Sequence, residues 1–167
     1  KWQIKLCYAF LARIDAELTG KPFLPDIQAP AALLRETGAQ YQANRDALAA
    51  ALAEERSRLI KAQQELAAAR QQKTRLEAVL PHYREQDKAY ERLVKEGFAG
   101  GLMGSDKRRE RIEKEQELAT QGHLIASAQA SIDQSQKKLK QIEADYLRQL
   151  HAERNEAQAQ IDKLAKE

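Results

Sequence analysis

A leucine-rich repeat of seven residues runs through most of this chain, breaks once, and resumes. Leu52, Leu59, Leu66, Leu80 and Val94 share one position of the repeat, with Lys73 and Asp87 interrupting. Leu48, Ala62, Ala69, Leu76, Tyr83 and Tyr90 share a second, with Glu55 interrupting. The spacing alternates four and three, which lines both series along one seam of a helix that must be covered by another helix. Small Ala62 and Ala69 allow a partner helix to come close. The polar intruders Lys73, Asp87 and Glu55 are expected to bury their stems and keep their heads in solvent. Beyond the break, Leu118, Ile125, Ile132, Leu139 and Tyr146 again recur every seven. The seam then slips by a residue to Leu150, Ala157, Ile161 and Leu164, which alters the local winding of a coiled coil.

The break itself reads "KEGFAGGLMGSDKRRE". Four of the seven glycines, Gly97, Gly100, Gly101 and Gly104, fall inside eight residues there. Glycine supplies the positive φ angles that a tight reversal needs. Two helices of about 60 residues, each ~90 Å long at 1.5 Å per residue, must turn back somewhere, and nowhere else between them does the pattern stop. The sequence therefore predicts a long helix over about 31–96, a tip at 97–104, and a return helix over about 105–166. Ser105 reads as the N-cap of the return helix, with Asp106 in its first turn. Pro81 removes a backbone donor and costs about 3 kcal/mol inside a helix, so a kink or short break is expected there. Gly122 lies inside the return helix at some cost.

A shorter helix is predicted over about 2–18, where Ile4, Leu11, Ile14 and Leu18 share a face. Gly20 and Pro22 end it. The loop at 19–30 holds three of the four prolines, and Phe23, Leu24 and Ile27 are expected to pin it to neighbouring helices. The fold class is thus all-α: a long antiparallel coiled-coil hairpin with a short extra N-terminal helix, read as a single domain over 1–167. The chain opens on "KWQIKL" with neither Met nor a charged leader, so it is read as a piece of a longer protein.

Nine aromatic residues supply little bulk for a thick core, while abundant Ala, Leu, Glu, Gln, Lys and Arg suit long helices. No apolar run approaches the ~20 residues that cross a bilayer as a helix. His82, His123 and His151 fit no metal-ligand spacing, and no phosphate cradle or catalytic pairing is present. Cys7 reads as a small apolar residue on the first helix. No catalytic residue, metal or cofactor is expected, because a pair of helices has no deep pocket in which to desolvate a reacting group. "DKRRERIEK" looks basic, yet from Asp106 to Glu117 five positive residues meet five negative ones. No aromatic platform is interleaved for bases, so this stretch reads as a solvated face and nucleic acid is not an expected partner. At the tip, Phe98, Leu102 and Met103 either plug the open end of the seam or form a contact surface.

The order of parts resembles a known family. "LARIDAELTGKPFLP", a proline-marked loop, "LPHYREQDKAYERLVKEGF" and "ASIDQSQKKLKQIEADYLRQL" are similar to the periplasmic adaptors of type I secretion, the membrane-fusion proteins of the hemolysin-D family. The resemblance spans essentially the whole chain, with "L-x-K-x-G-F" leading into the tip. It implies an adaptor anchored in the inner membrane through a segment absent from this chain. It also implies rings, commonly hexameric, that join an inner-membrane ABC transporter to a TolC-type outer-membrane channel, with hairpin tips meeting the channel. Adaptors of this class often carry Arg, Leu and Ser at the tip; the corresponding positions here are Lys88, Arg92 and Ala99, of which only Lys88 keeps the charge. Beside Lys88, Arg92, Gly97 and Ala99, the apolar contact set becomes Leu93, Phe98, Leu102 and Met103. Two other readings fit the same hairpin, a scaffold arm of a larger machine and a nucleic-acid-binding arm.

Overall fold

The structure is a computed structural model that describes residues 2–23 and 29–167. Three helices make up the fold: α1 (Trp2–Thr19), α2 (Ala31–Lys95) and α3 (Gly101–Ala165). It is a long helical hairpin preceded by a short helix. The chain divides into two compact units, residues 1–57 with 136–167, and residues 58–135. Both long helices contribute to each unit.

In the first unit α1 packs against the outer parts of α2 and α3. Its core contains Ala9, Ile14, Leu33, Leu52, Leu150, Ala157 and Ile161. The slipped seam of α3 is thus buried at Leu150, Ala157 and Ile161, while Leu164, expected with them, is only half-buried. Each well-buried leucine or isoleucine contributes about 1.5–3 kcal/mol before ordering entropy is subtracted. The face that α1 buries differs from the predicted one. Ile14 is buried, but Ile4, Leu11 and Leu18 are only half-buried, and the rest of the face is Ala9, Arg13, Ala16 and Glu17. Alanines let α1 approach closely, and the two charges neutralise one another.

Arg13 donates to Glu17 one turn along α1, and its Nη2 reaches Glu153 Oε2 of α3 at 3.0 Å. The Tyr146 hydroxyl donates to Glu17 Oε1 at 2.8 Å, and Asn44 Nδ2 donates to Oε2 at 3.3 Å. Glu17 is only 2% exposed, so these donors replace the water its carboxylate has lost. Outside the buried group, Arg154 Nε meets Asp15 Oδ1 at 3.0 Å. Burial first, and then the bond to the Glu17 carboxylate, push the Tyr146 phenol up to about 12, although Arg45 acts in the opposite sense.

Beyond α1, Gly20 closes the helix with a φ of 71°. Phe23 stacks on Tyr41 with ring centres 5.9 Å apart and lies over Gly38. The Tyr41 hydroxyl donates to the Lys21 carbonyl at 3.0 Å. Phe23 thus pins the segment as expected, while Leu24 and Ile27 lie outside the described residues. An open cleft of about 760 Å³ runs between α1 and the outer ends of α2 and α3, lined by Leu6, Phe10, Leu33, Leu48 and Leu150 among others. The sequence had predicted no such hollow, because it treated the pair of long helices without α1.

In the second unit α2 and α3 run antiparallel, and the cross-helix contacts give one register. Tyr90 lies under Lys107 and Tyr83 under Lys114, Asp87 binds Arg111, Arg84 binds Glu115, and Val94 faces Gly104. The two residue numbers of every pair add to between 197 and 199. Extended along the helices, this register sets Ala69 opposite Ala128 and Ala62 opposite Ser135, and all four are buried. Leu76 and Leu80 complete the buried seam. The helix α2 runs unbroken through Pro81, so of the kink or short break expected there, the break does not occur. Proline costs the helix its backbone bond to Glu77, a residue that is itself exposed.

The polar intruders follow no single rule. Lys73 is half exposed and pairs with Glu77 at 3.8 Å, as expected. Asp87 departs from expectation: its side chain is 13% exposed and takes a 2.7 Å bond from Arg111 Nε. Glu55 is buried as well, so its head too lies inside, contrary to expectation.

The return helix starts at Gly101, four residues before the predicted cap at Ser105. Gly104 N–H already bonds the Gly100 carbonyl at 3.3 Å. Ser105 is therefore an interior helical residue. Only Gly20 and Gly97 have positive φ, so Gly100, Gly101 and Gly104 are not needed for a left-handed turn. Gly104 has another reason to be glycine: a Cβ there would stand 2.9 Å from Val94 Cγ2.

Valine is stiff about χ1 and cannot swing aside freely. Gly104→Ala is therefore expected to lower stability by about 1 kcal/mol, overpacking outweighing the higher helix propensity of alanine. Adding Val94→Ala should recover most of that loss, as read by thermal and denaturant melts. In the first unit, Glu17→Ala leaves Arg13 buried beside one fewer carboxylate and is expected to cost about 3 kcal/mol. Tyr146, whose protonated form is favoured by folding, should add stability that is complete below its ordinary value of 10 and is lost as pH rises through about 12. Ultraviolet titration of the wild type against Tyr146→Phe isolates that phenol, whose ionisation should fall near pH 12.

Candidate functional site at the hairpin tip

The tip is set by the way α2 ends. Gly97, at φ 81°, is the first residue past the cap. Its N–H bonds the Val94 carbonyl at 3.2 Å, and Phe98 N–H bonds the Leu93 carbonyl at 2.8 Å. This pair of bonds is a Schellman closure, which requires a left-handed residue where glycine stands. Ala99 N–H shares the Leu93 carbonyl at 3.2 Å. Three carbonyls that the helix end would leave open are thereby used: Arg92 takes Glu96 N–H, Leu93 takes two donors, and Val94 takes one. Two residues after Ala99 the return helix has begun. The reversal is tighter than the 97–104 span predicted, running from Glu96 to Gly100.

This closure controls where the side chains point. Phe98 is 78% exposed and Leu102 is 79% exposed; Met103 is 47% and Leu93 36% exposed. The seam behind them ends on the Val94–Gly104 contact. Phe98 and Leu102 therefore do not plug the seam. The structure brings Leu93, Gly97, Phe98, Ala99, Leu102 and Met103 together around one turn. Arg92 and Lys88 stand exposed on α2, about one and two turns before it respectively.

Behind the tip lies a layer that the sequence reading had assigned to the solvated face. Lys107 Nζ sits 5.4 Å from the Tyr90 ring centre and Lys114 Nζ 5.7 Å from that of Tyr83. Arg111 bridges Asp87 on α2 and Glu115 on its own helix, at 2.7 and 3.1 Å. Arg84 adds a 3.3 Å contact to Glu115. These bonds raise the Arg111 guanidinium further above its ordinary value and hold the Glu115 carboxyl below its own. The remaining charges pair along α3, Lys107 with Glu110, Arg109 with Asp106 and Glu113, and Lys114 with Glu117. Lys107, Lys114, Gln121, Ala128, Ser135 and Ile142 fall seven apart. That column was available in the sequence, but a search for apolar repeats passes over it.

No group of three or more metal-ligating side chains is found among the described residues. Nor is any helix of the described residues long and apolar enough to cross a membrane.

Comparison with known proteins agrees with this geometry. In overall fold the chain is similar to the crystal structure of the soluble domain of LipC, a membrane fusion protein of a type I secretion system. The TM-score is 0.83 at 18% identity, covering 99% of this chain and 82% of that one. No curated protein sequence matches the chain. Residues 8–167 match the family described as AprE, long alpha-helical hairpin. The chain belongs to that family of long helical hairpins.

Proposed function

We propose that this chain is the helical hairpin of a periplasmic adaptor, a membrane fusion protein, in a type I secretion system. In this reading the full-length protein is held in the inner membrane through a segment outside residues 1–167, stands in the periplasm, and bridges an ABC transporter to a TolC-type outer-membrane channel. Copies assemble side by side in a ring, commonly a hexamer, and the tips dock to the channel. The role is that of a structural link, and no step of it calls for catalysis or a cofactor.

One observation carries the docking assignment: Phe98 and Leu102 are nearly four-fifths exposed at the end of a hairpin whose seam is already closed behind them. Covering each in a partner groove would gain about 1.5–3 kcal/mol. Leu93 and Met103 extend the apolar contact, Gly97 and Ala99 shape the turn that presents it, and Lys88 and Arg92 border it. The membership in the AprE hairpin family and the likeness in fold to LipC support the same reading. Nucleic-acid binding is disfavoured, because most cations near the tip are engaged with carboxylates or tyrosine rings.

Phe98→Asp and Leu102→Asp are expected to abolish export of the cognate substrate in cells while leaving helicity and melting temperature nearly unchanged. Export that persists in both variants would remove the tip from the docking surface.

A further inference from the structure

The buried seam stops well short of the tip. On α2 the last buried residue is Leu80, and no residue from Pro81 through Ser127 is buried. Proximal to this boundary in the second unit the seam holds Ala62, Ala69, Leu76 and Leu80 against Ala128 and Ser135. Distal to it the seam positions are Tyr83, Asp87, Tyr90 and Val94, facing Gly104, Lys107, Arg111 and Lys114. Apolar burial is there replaced by cations over rings and by one bridging arginine. Such contacts are weaker than leucine packing and are screened by salt.

Both helices also have a weak point near this change. Pro81 deletes a backbone donor from α2, one residue past Leu80. Gly122 loosens α3 and meets nothing that explains the missing side chain, since a Cβ there has nothing within 4 Å. In the register described above, the two lie about five residues apart along the helix pair, or roughly 7–8 Å. Proline in α2, glycine in α3 and the end of the buried seam fall at neighbouring levels.

We infer that residues 82–121 form a hinged fingertip, which opens and bends as a unit about Pro81 and Gly122 while the leucine–alanine seam behind it stays closed. The polar ladder keeps the register when the unit is shut, because Asp87, Tyr83 and Tyr90 each have one partner at a defined level. It yields at small cost, because little apolar surface has to be exposed. The device lets the tip change its angle without unzipping the hairpin, and it stands whether or not the tip docks to a channel.

Amide hydrogen exchange on the whole chain tests the inference. Amides of 83–117 are expected to exchange about tenfold faster than those of 59–76 and 125–135, with steps at Pro81 and Gly122. Raising salt from about 0.05 M to about 0.5 M should accelerate the distal set alone. Asp87→Leu with Arg111→Leu places an apolar pair at that seam level and should slow distal exchange and remove the salt response. Pro81→Ala with Gly122→Ala leaves the seam untouched and should move the steps toward the tip. A smooth gradient of exchange from residue 97 inward, without steps and without salt response, would overturn the hinge, as would distal exchange that neither pair of substitutions alters.

Discussion

The antiparallel register of α2 against α3 is the constraint on which the second unit depends. It is held by side chains of unequal kind: alanine facing alanine or serine in one stretch, leucine in the next, and tyrosine under lysine toward the turn. A slip of a full turn would bring none of these partners together. Small residues let the backbones approach, and close approach makes a shift along the seam sterically expensive. Near the tip, where packing is thin, Asp87 and Arg111 take over the same task by direct bonding. A half-buried polar pair can fix an arrangement while adding little stability, and this one stands where apolar burial has ended.

The turn shows how backbone accounting shapes a surface. A helix end leaves carbonyls that need donors. The glycine closure supplies them within three residues and turns the chain outward in doing so. The large apolar side chains that follow have no room inside, because Val94 and Gly104 already occupy the end of the seam. Exposure of Phe98 and Leu102 is therefore a consequence of how the reversal is built. The same residues that make the turn short also leave its apolar face in solvent.

Much of this was legible in the residues alone. The three helices, the reversal near residue 100 and much of the α2 seam follow the pattern, although the reversal is shorter than predicted and Leu118, Ile125, Ile132 and Leu139 of α3 are only half-buried; the family resemblance agrees with the AprE hairpin and with the fold of LipC. What escaped notice shares one cause, since apolar periodicity sees only apolar residues. The column Lys107, Lys114, Gln121, Ala128 and Ser135 lines the seam with polar and small side chains. Arg13 and Glu17 are buried because they complete each other, which no hydrophobicity count can register. Ser105 looked like a cap, and a local cap is worth only about 1 kcal/mol. Starting the helix four residues sooner brings α3 into contact with Val94 and adds backbone bonds, so the local signal lost to the tertiary one. The exposed set at the tip could be named from sequence, but whether it plugged the seam or faced outward depended on the φ of Gly97 and on the missing side chain at 104.

The attachment of α1 has a consequence for how such chains can vary. Arg13 divides its charge between Glu17 on its own helix and Glu153, more than a hundred positions away on α3, while Tyr146 and Asn44 donate to the Glu17 carboxylate. Loss of either carboxylate leaves Arg13 with a single partner, and loss of Arg13 leaves the buried Glu17 without its cation, so drift at these positions is coupled. Among related hairpins, positions 13, 17 and 153 should exchange as a set, with charge reversed or removed together, while the leucines around them interchange freely with isoleucine and methionine.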